Sequence, residues 1–142
     1  MNEDDVQYFM RYPFNMPAAD GSVSNGKGVP HPRSYGTNAR VLGRYVREMK
    51  VISLEEAIRR MTSLPAQKFN LGNRGLILEG MAADIVLLDE NTITDMASFE
   101  KPHQFSKGIP YVIVNGQVII DNGQHTGTRS GQVIKRKTMA KP

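Results

Sequence analysis

The residue types most able to do chemistry lie in two short segments of the first half. Asp20 precedes a glycine at the end of a short apolar run, and His31 and Arg33 follow in a loop rich in glycine and proline. Barrel enzymes place catalytic carboxylates at the carboxyl ends of strands, where they can take a proton from a metal-bound water. A guanidinium can bind a carboxylate through two parallel hydrogen bonds. We therefore interpret Asp20 as a candidate proton acceptor, Arg33 as a candidate clamp for an anionic substrate, and His31 as a candidate ligand or proton shuttle.

Each of these residues also has an ordinary structural explanation. An Asp-Gly pair is a frequent turn sequence, an arginine can bind loop carbonyls, and a histidine between prolines often packs within its loop. The other two histidines, His103 and His125, lie near turns in the second half and are interpreted as surface or structural residues. The three histidines lack the spacing of metal ligands, and the chain has no cysteine. The pattern alone thus leaves catalysis and loop structure both open.

The composition is that of an ordinary globular chain. It has 142 residues, of which 39% are hydrophobic and 23% charged, and a formal net charge of +4. The positive charge is concentrated in residues 129–142, which include five basic residues and no acidic one. Because the remainder lacks a basic face with interleaved aromatic residues, we predict no nucleic-acid partner. No apolar run approaches the roughly 20 residues of a membrane span and no export signal is recognisable, so we expect no membrane partner and a cytoplasmic location.

The first half is predicted to be mostly helical. A helix over residues 2–10 begins at an asparagine cap and carries acidic residues in its first turn. A long loop over residues 21–36 follows, and loops of that length inside compact domains are often functional. Thr37 or Asn38 then caps a helix that ends at Met49, with an apolar stripe along one face.

Further signals in the first half are local. Ser53 and Glu56 have the spacing of a capping box, in which each side chain accepts from the other residue's backbone amide. The helix that they begin is followed by a short helix over residues 66–69. Residues 14–19 resemble a short buried strand, but a proline within them argues against an interior position, because proline cannot donate to a sheet.

The second half is predicted to be β-structure. Residues 83–89 form an apolar run typical of a strand that is buried on both faces. Residues 110–114 and 117–121 are β-branched runs on either side of Asn115-Gly116, a pair that tolerates the positive φ of a type I′ turn. We therefore expect an antiparallel hairpin and an α+β chain.

The longer motifs resemble the C-terminal part of the N-acyl-D-amino-acid deacylases, or D-aminoacylases, of the metal-dependent amidohydrolase superfamily. The matching stretches are residues 19–22, 31–37, 40–48, 53–66, 74–75, 79–86 and 114–116. The likeness runs over nearly the whole chain. Its part from His31 to Ala66 is the most specific to the deacylases, whereas the Asp-Gly pair and the Gly-x-x-Ala-Asp-Ile-Val motif recur across amidohydrolases.

The resemblance implies an α+β fragment of a larger fold. The chain would supply the last strand and helices of an amidohydrolase (β/α)₈ barrel and part of a small β-sandwich. Residues 1–71 would belong to the barrel, residues 72–136 to the sandwich, and residues 137–142 to a basic tail.

The resemblance also implies roles for the candidate residues. Asp20 matches the family's general base, which lies by the zinc and serves as a secondary metal ligand. Arg33 matches the arginine that binds the α-carboxylate of the substrate, and His31 would help to bind that substrate. The reaction implied is zinc-dependent cleavage of the amide bond of an N-acyl-D-amino acid to a carboxylate and a free D-amino acid.

The family's primary metal ligands come from earlier barrel strands, and this chain has no counterpart to them. We therefore expect the chain alone to bind no zinc stably and to be inactive. Two alternatives remain: a non-catalytic α+β interaction module, or one half of a split amidohydrolase whose partner carries the missing barrel half. Without the missing barrel strands, the apolar faces of the helices would be exposed and would favour self-association, whereas the interaction module predicts a stable monomer or a defined complex.

Overall fold

The chain folds as a layer of helices followed by a small antiparallel sheet, and the computed structural model describes residues 2–22 and 26–135. The elements are α1 (Glu3–Arg11), α2 (Arg33–Arg40, continued in π-helical geometry over Val41–Glu48), α3 (Leu54–Met61), α4 (Ser63–Lys68), β1 (Ile85–Leu87), β2 (Tyr111–Val114), β3 (Gln117–Asp121) and β4 (Gln124–His125). The strands lie in the order β1-β2-β3-β4. The α+β prediction is confirmed, and the predicted basic tail over residues 137–142 falls outside the described residues. None of the described helices is long and apolar enough to cross a membrane.

Helix α1 begins as its sequence predicts. The Asn2 side chain accepts from the Asp5 amide at 2.8 Å, and the Asp5 carboxylate accepts from the Asn2 amide at 3.3 Å. These reciprocal bonds satisfy two of the amide groups that a helix start leaves unpaired. The doubtful strand over residues 14–19 does not form, because no described strand lies beside it to share a ladder.

Helix α2 begins earlier than predicted. Pro32 stands at its N-cap position, so the preceding loop ends there and Arg33 lies in the first turn. Proline suits this position because its missing amide has no helical partner to lose. Thr37 does not cap the helix; its hydroxyl donates to the Arg33 carbonyl at 2.9 Å, inside the helix. The correction matters because a helical turn, rather than a free loop, carries the predicted clamp.

Helix α3 has half of its predicted capping box. The Ser53 hydroxyl accepts from the Glu56 amide at 3.2 Å. The Glu56 carboxylate accepts instead from Arg59 and Arg60, at 2.6 and 2.7 Å. These hydrogen bonds, with that of Arg59 first, lower the pKa of Glu56 to about 2. Arg60 is buried and also donates to the Met10 carbonyl, which ties α3 to the end of α1.

The buried core lies between α2, α3 and the connection from β1 to β2. Its cluster of buried residues comprises Ala39, Val41, Leu42, Ala57 and Ile93. Ile93 comes from the second half of the chain, and Arg47 Nη1 donates to its carbonyl at 2.6 Å. The core therefore crosses the boundary predicted at residue 71, while the assignment of the two parts to a barrel and a sandwich stays a prediction.

The sheet confirms the predicted hairpin and corrects the predicted buried strand. Strands β2 and β3 flank Asn115 and Gly116, whose φ angles are 48° and 76°. Strand β1 has three residues rather than seven, and Val86 and Leu87 are 53% and 45% exposed. Burial on both faces was therefore wrong, because in the described part of the chain β1 is an edge strand that pairs only with β2, and Val86 lines an open cleft beside α3.

Candidate active site

Asp20 lies within the irregular segment between α1 and α2. Its φ of 42° is left-handed, a conformation that aspartate adopts more readily than most residues. Gly21 follows in a tight space, where a Cβ would lie 2.7 Å from both Cα and Oγ of Ser34. The glycine thus lets this segment approach the first turn of α2 and brings Asp20 to Arg33.

Arg33 contacts Asp20 through two nitrogen atoms. Its Nε donates to the Asp20 carbonyl at 2.9 Å, and its Nη2 lies 3.0 Å from the Asp20 Oδ2. The side chains are 47% and 86% exposed, so water screens the pair and it contributes little to stability. The contact shows instead that the two candidate residues lie next to each other, with a carboxylate at hydrogen-bond distance from the Arg33 guanidinium.

His31 lies beside Arg33 and is oriented by two contacts. Its Nδ1 accepts from the Arg33 backbone amide at 3.1 Å, which leaves the proton of a neutral ring on Nε2. The edge of its ring meets Phe99, with the ring centroids 4.9 Å apart. The structure therefore brings His31 to the predicted clamp, and its role in substrate binding stays a prediction.

A cleft of about 400 Å³ separates α2 from residues 95–100 and is lined by His31, Arg33, Arg40, Asp95 and Phe99, among others. Arg40 Nη1 donates to Asp95 Oδ2 at 2.9 Å across it. Partial burial lowers the pKa of the Arg40 guanidinium, but the hydrogen bond and the charge of Asp95 outweigh burial and raise that pKa overall. Arg40 thus stays charged, and its charge is balanced by the largely buried carboxylate of Asp95. The partner of Arg33, Asp20, is more exposed.

This arrangement suits anion binding and proton transfer better than metal binding. A guanidinium with an exposed partner can exchange it for a substrate carboxylate, and an exposed aspartate can accept a proton. Within residues 2–22 and 26–135, no three histidine, aspartate or glutamate side chains come together to hold a metal ion. Asp20 alone therefore does not make a metal site.

The sequence patterns missed the second-half residues that complete the cleft. Asp95 accepts a hydrogen bond from Arg40, and the ring of Phe99 contacts the ring of His31. His103, interpreted as a surface or structural residue, bonds to the first turn of α2. No helical or strand period links residues so far apart in sequence, and the only available signal was a histidine beside a proline in a loop.

A comparison with models of protein families matches residues 25–120 to the amidohydrolase family. The chain belongs to the amidohydrolase family. The matched range of this amidohydrolase chain includes α2, α3, α4, β1, β2 and all but the last residue of β3, and it excludes α1 and β4.

Individual amidohydrolase relatives confirm the predicted resemblance to the deacylases. The chain is 42% identical over 135 residues to N-acyl-D-aspartate deacylase of Alcaligenes xylosoxydans xylosoxydans, covering 94% of this chain and 26% of that protein. It matches a crystal structure of D-aminoacylase with a TM-score of 0.91 at 40% identity, covering 96% of this chain and 28% of that one. It also matches N-acyl-D-glutamate deacylase of Bordetella bronchiseptica, solved with zinc and a phosphonate mimic of the tetrahedral intermediate, with a TM-score of 0.86 at 41% identity, covering 94% and 28%.

The amidohydrolase chain thus spans about a quarter of the length of these relatives. Its own fold is shared with them almost throughout. Their deacylase activities belong to chains of which some three-quarters lies outside the part matched here.

Proposed function

We propose that this chain is the carboxylate-binding and proton-accepting part of a zinc-dependent N-acyl-D-amino-acid deacylase. The whole enzyme would hydrolyse the amide bond of its substrate to a carboxylate and a free D-amino acid. The observation that supports this most directly is the contact of Arg33 with Asp20, 3.0 Å apart beside a cleft. It joins the two residues whose types the reaction needs, in a chain about 40% identical to deacylases.

Arg33 would bind the α-carboxylate of the substrate. Its Nε is bonded to the Asp20 carbonyl, so the two Nη groups are the donors that face a bound carboxylate. The planar guanidinium suits this task because it presents fixed donors in a fork, which lysine cannot do. A carboxylate bound there would take the Asp20 side chain's place on Nη2.

Asp20, released from Nη2 by the substrate, would accept and pass on the proton of the attacking water. His31 would add its Nε2–H as a donor beside the substrate, since its Nδ1 is bonded to the Arg33 amide. His31 lines the cleft, and Asp20 contacts Arg33, which also lines it.

Zinc enters this proposal through the relatives, one of which was solved with zinc. The described residues do not form a metal site of their own, so they do not fit the metal without further ligands. In the whole enzyme, Asp20 would be a secondary ligand, and the primary ligands would come from the remaining barrel. We further propose that residues 1–71 complete that barrel and residues 72–136 complete a β-sandwich.

A non-catalytic interaction module is the second candidate. The exposed aromatic residues at the N-terminal end favour it, since Tyr8, Tyr12 and Phe14 are 74%, 62% and 71% exposed. Exposed apolar surface of this kind often marks a protein interface. The same surface suits docking onto a separate barrel half. The cytoplasmic location of the protein stays a prediction.

A chimaera tests the proposed function. Replacing the matching 28% of a D-aminoacylase with this chain should give zinc-dependent hydrolysis of N-acetyl-D-methionine. In that chimaera we expect Asp20→Asn to lower kcat by at least about 100-fold, as is typical for loss of an acid–base group. We expect Arg33→Lys to raise KM more than it lowers kcat, because the clamp acts mainly in binding.

The matched control is Arg11→Gln, which removes an exposed arginine from α1 and should leave both constants unchanged. A folded chimaera that is insensitive to Asp20→Asn would favour the interaction module. The chain alone should not hydrolyse N-acetyl-D-methionine with added zinc. Turnover by the purified chain together with stoichiometric zinc would contradict its assignment as an incomplete site.

A further inference from the structure

His103 connects two parts of the chain on either side of the predicted clamp. Its Nε2 donates to the Gly28 carbonyl at 2.9 Å, and its Nδ1 accepts from the Tyr35 hydroxyl at 2.9 Å. Because a carbonyl can only accept, Nε2 carries the proton and Nδ1 of the neutral ring is left as the acceptor. One ring therefore bonds both to the loop before His31 and to the first turn of α2.

Residues 99–106, the wall segment, contact the same loop and helix at further points. The contacts are Phe105 on the Tyr35 ring with centroids 5.6 Å apart, Ser106 Oγ donating to the Tyr35 carbonyl at 3.3 Å, and Phe99 on the His31 ring at 4.9 Å. His31 and Tyr35 flank Arg33 in sequence. The wall segment thus holds the stretch from which the guanidinium extends.

The loop needs such a support because it has little packing of its own. A Cβ built at Gly26 or Gly28 would meet nothing within 4 Å, and both glycines have positive φ angles. Glycine with open space around it is the most mobile kind of backbone. The hydrogen bond from His103 to the Gly28 carbonyl is therefore well placed to set where the loop lies.

We propose that His103 is a positioning residue of the carboxylate clamp: it holds the Gly28 loop so that Arg33 keeps its place beside Asp20. The inference rests on the proposed function, since it assigns the support of the group that would bind the substrate. His103 does not line the cleft, and it acts through the backbone that carries His31 and Arg33.

Conservative substitutions separate the two hydrogen bonds. His103→Gln places an amide nitrogen near the position of Nε2 and can keep the bond to Gly28. His103→Asn reaches only the position of Nδ1 and can keep only the bond to Tyr35, while His103→Ala loses both. His125→Ala is the matched control, because the His125 ring also makes a hydrogen bond to the backbone, accepting from the Gly127 amide at 2.9 Å, but lies in β4.

The readout is the rate at which the Arg33 Nε–Hε proton exchanges with solvent, measured by NMR in the ¹⁵N-labelled 142-residue chain. The thermal midpoint of each variant is measured separately. That proton is bonded to the Asp20 carbonyl, so its exchange reports the clamp directly. We expect exchange about tenfold faster in His103→Ala and His103→Asn, as loss of one positioned hydrogen bond allows. We expect His103→Gln and His125→Ala to stay within about twofold of the unsubstituted chain.

Equal exchange in the Asn and Gln variants, or exchange that only follows the thermal midpoint, would overturn the proposal. The ¹⁵N shifts of the ring provide a second test: a protonated Nε2 with a bare Nδ1 supports it, whereas a bare Nε2 contradicts it. The two proposals fail separately. If the chimaera lacks deacylase activity while Arg33 exchange still responds to His103 as described, the proposed function fails and the positioning role stands.

Discussion

Apolar residues are buried between α2, α3 and the connection from β1 to β2, whereas several apolar residues in and near the sheet are exposed. Ala57 in α3 and Ile93 in the connection from β1 to β2 belong to one core cluster and are 0% and 1% exposed. In the sheet, Val86 and Val118 are 53% and 43% exposed, and Ile77 ahead of it is 81% exposed. The difference is that α2, α3 and the Ile93 connection form one buried cluster, whereas Val86 lies on an edge strand and lines an open cleft. The stability of the chain is therefore concentrated in the buried cluster.

The substitution Ile93→Ala should have the largest effect on stability and tests this contrast most directly. Removing a buried isoleucine leaves a cavity between α2 and α3, and such changes typically lower the free energy of unfolding by about 2–5 kcal/mol. Ile77→Ala is the matched control, because the same atoms are removed from an exposed side chain and the change should stay within about 0.5 kcal/mol. Urea unfolding followed by circular dichroism measures both, and similar losses in the two variants would contradict the contrast.

The ion pairs of Glu56 are the next largest test of the helical layer. Its carboxylate binds Arg59 and the buried Arg60, so Glu56→Gln leaves the Arg60 charge without its anion. We expect a loss of about 2 kcal/mol near pH 7, less than for a fully buried pair because Glu56 is partly exposed. Glu79→Gln, in an exposed turn outside this network, should have little effect.

This second effect should depend on pH in a defined direction. Folding lowers the pKa of Glu56 from 4.5 to about 2, so its contribution is fully present above pH 4.5 and is lost as the pH falls toward 2. The difference in unfolding free energy between the unsubstituted chain and Glu56→Gln should therefore shrink across that interval. A difference that grows on acidification would contradict the assignment.

Close packing of α2 on Ile93 gives the third test. A Cβ at Gly43 would lie 2.6 Å from the Ile93 carbonyl oxygen, so Gly43→Ala must push the connection away from the helix. We expect a loss of about 1–2 kcal/mol, since overpacking outweighs the gain in helix propensity. Gly131→Ala, where a Cβ meets nothing within 4 Å, is the control and should be nearly neutral. The thermal midpoints of both variants decide the point.

Local signals predicted most of the elements correctly. The Asn2 cap and the Asn115-Gly116 turn act through neighbouring residues, so a short window of sequence contains the whole interaction. The start of α2 was wrong because Pro32 suits a loop as well as a helix N-terminus. The burial of β1 was wrong because an apolar run predicts burial only where a second layer exists to cover it.

In the candidate site, too, local features were predicted from the sequence and long-range contacts were not. Asp20 and Arg33 were predicted by type and motif, and Gly21 explains physically how they come together. The contacts of Asp95 and His103 with α2 were beyond prediction, because no periodicity joins them to the first half. The types and motifs of Asp20 and Arg33 could therefore be predicted from the sequence, whereas the contacts of Asp95 and His103 with α2 depend on tertiary structure.

The smallest effect on stability is expected at the edge of the sheet, where the comparison can be sharpened. Val86 in β1 and Val118 in β3 are similarly exposed, but β3 has a strand on each side, whereas β1 has a described neighbour only in β2. An apolar strand with an open edge is a template for pairing with another chain. We expect Val86→Lys to change stability by less than about 0.5 kcal/mol and to reduce self-association in sedimentation velocity at high protein concentration. Val118→Lys makes the same chemical change on a paired strand and should leave association largely unchanged; equal reductions would mean that apolar exposure, rather than the open edge, drives it.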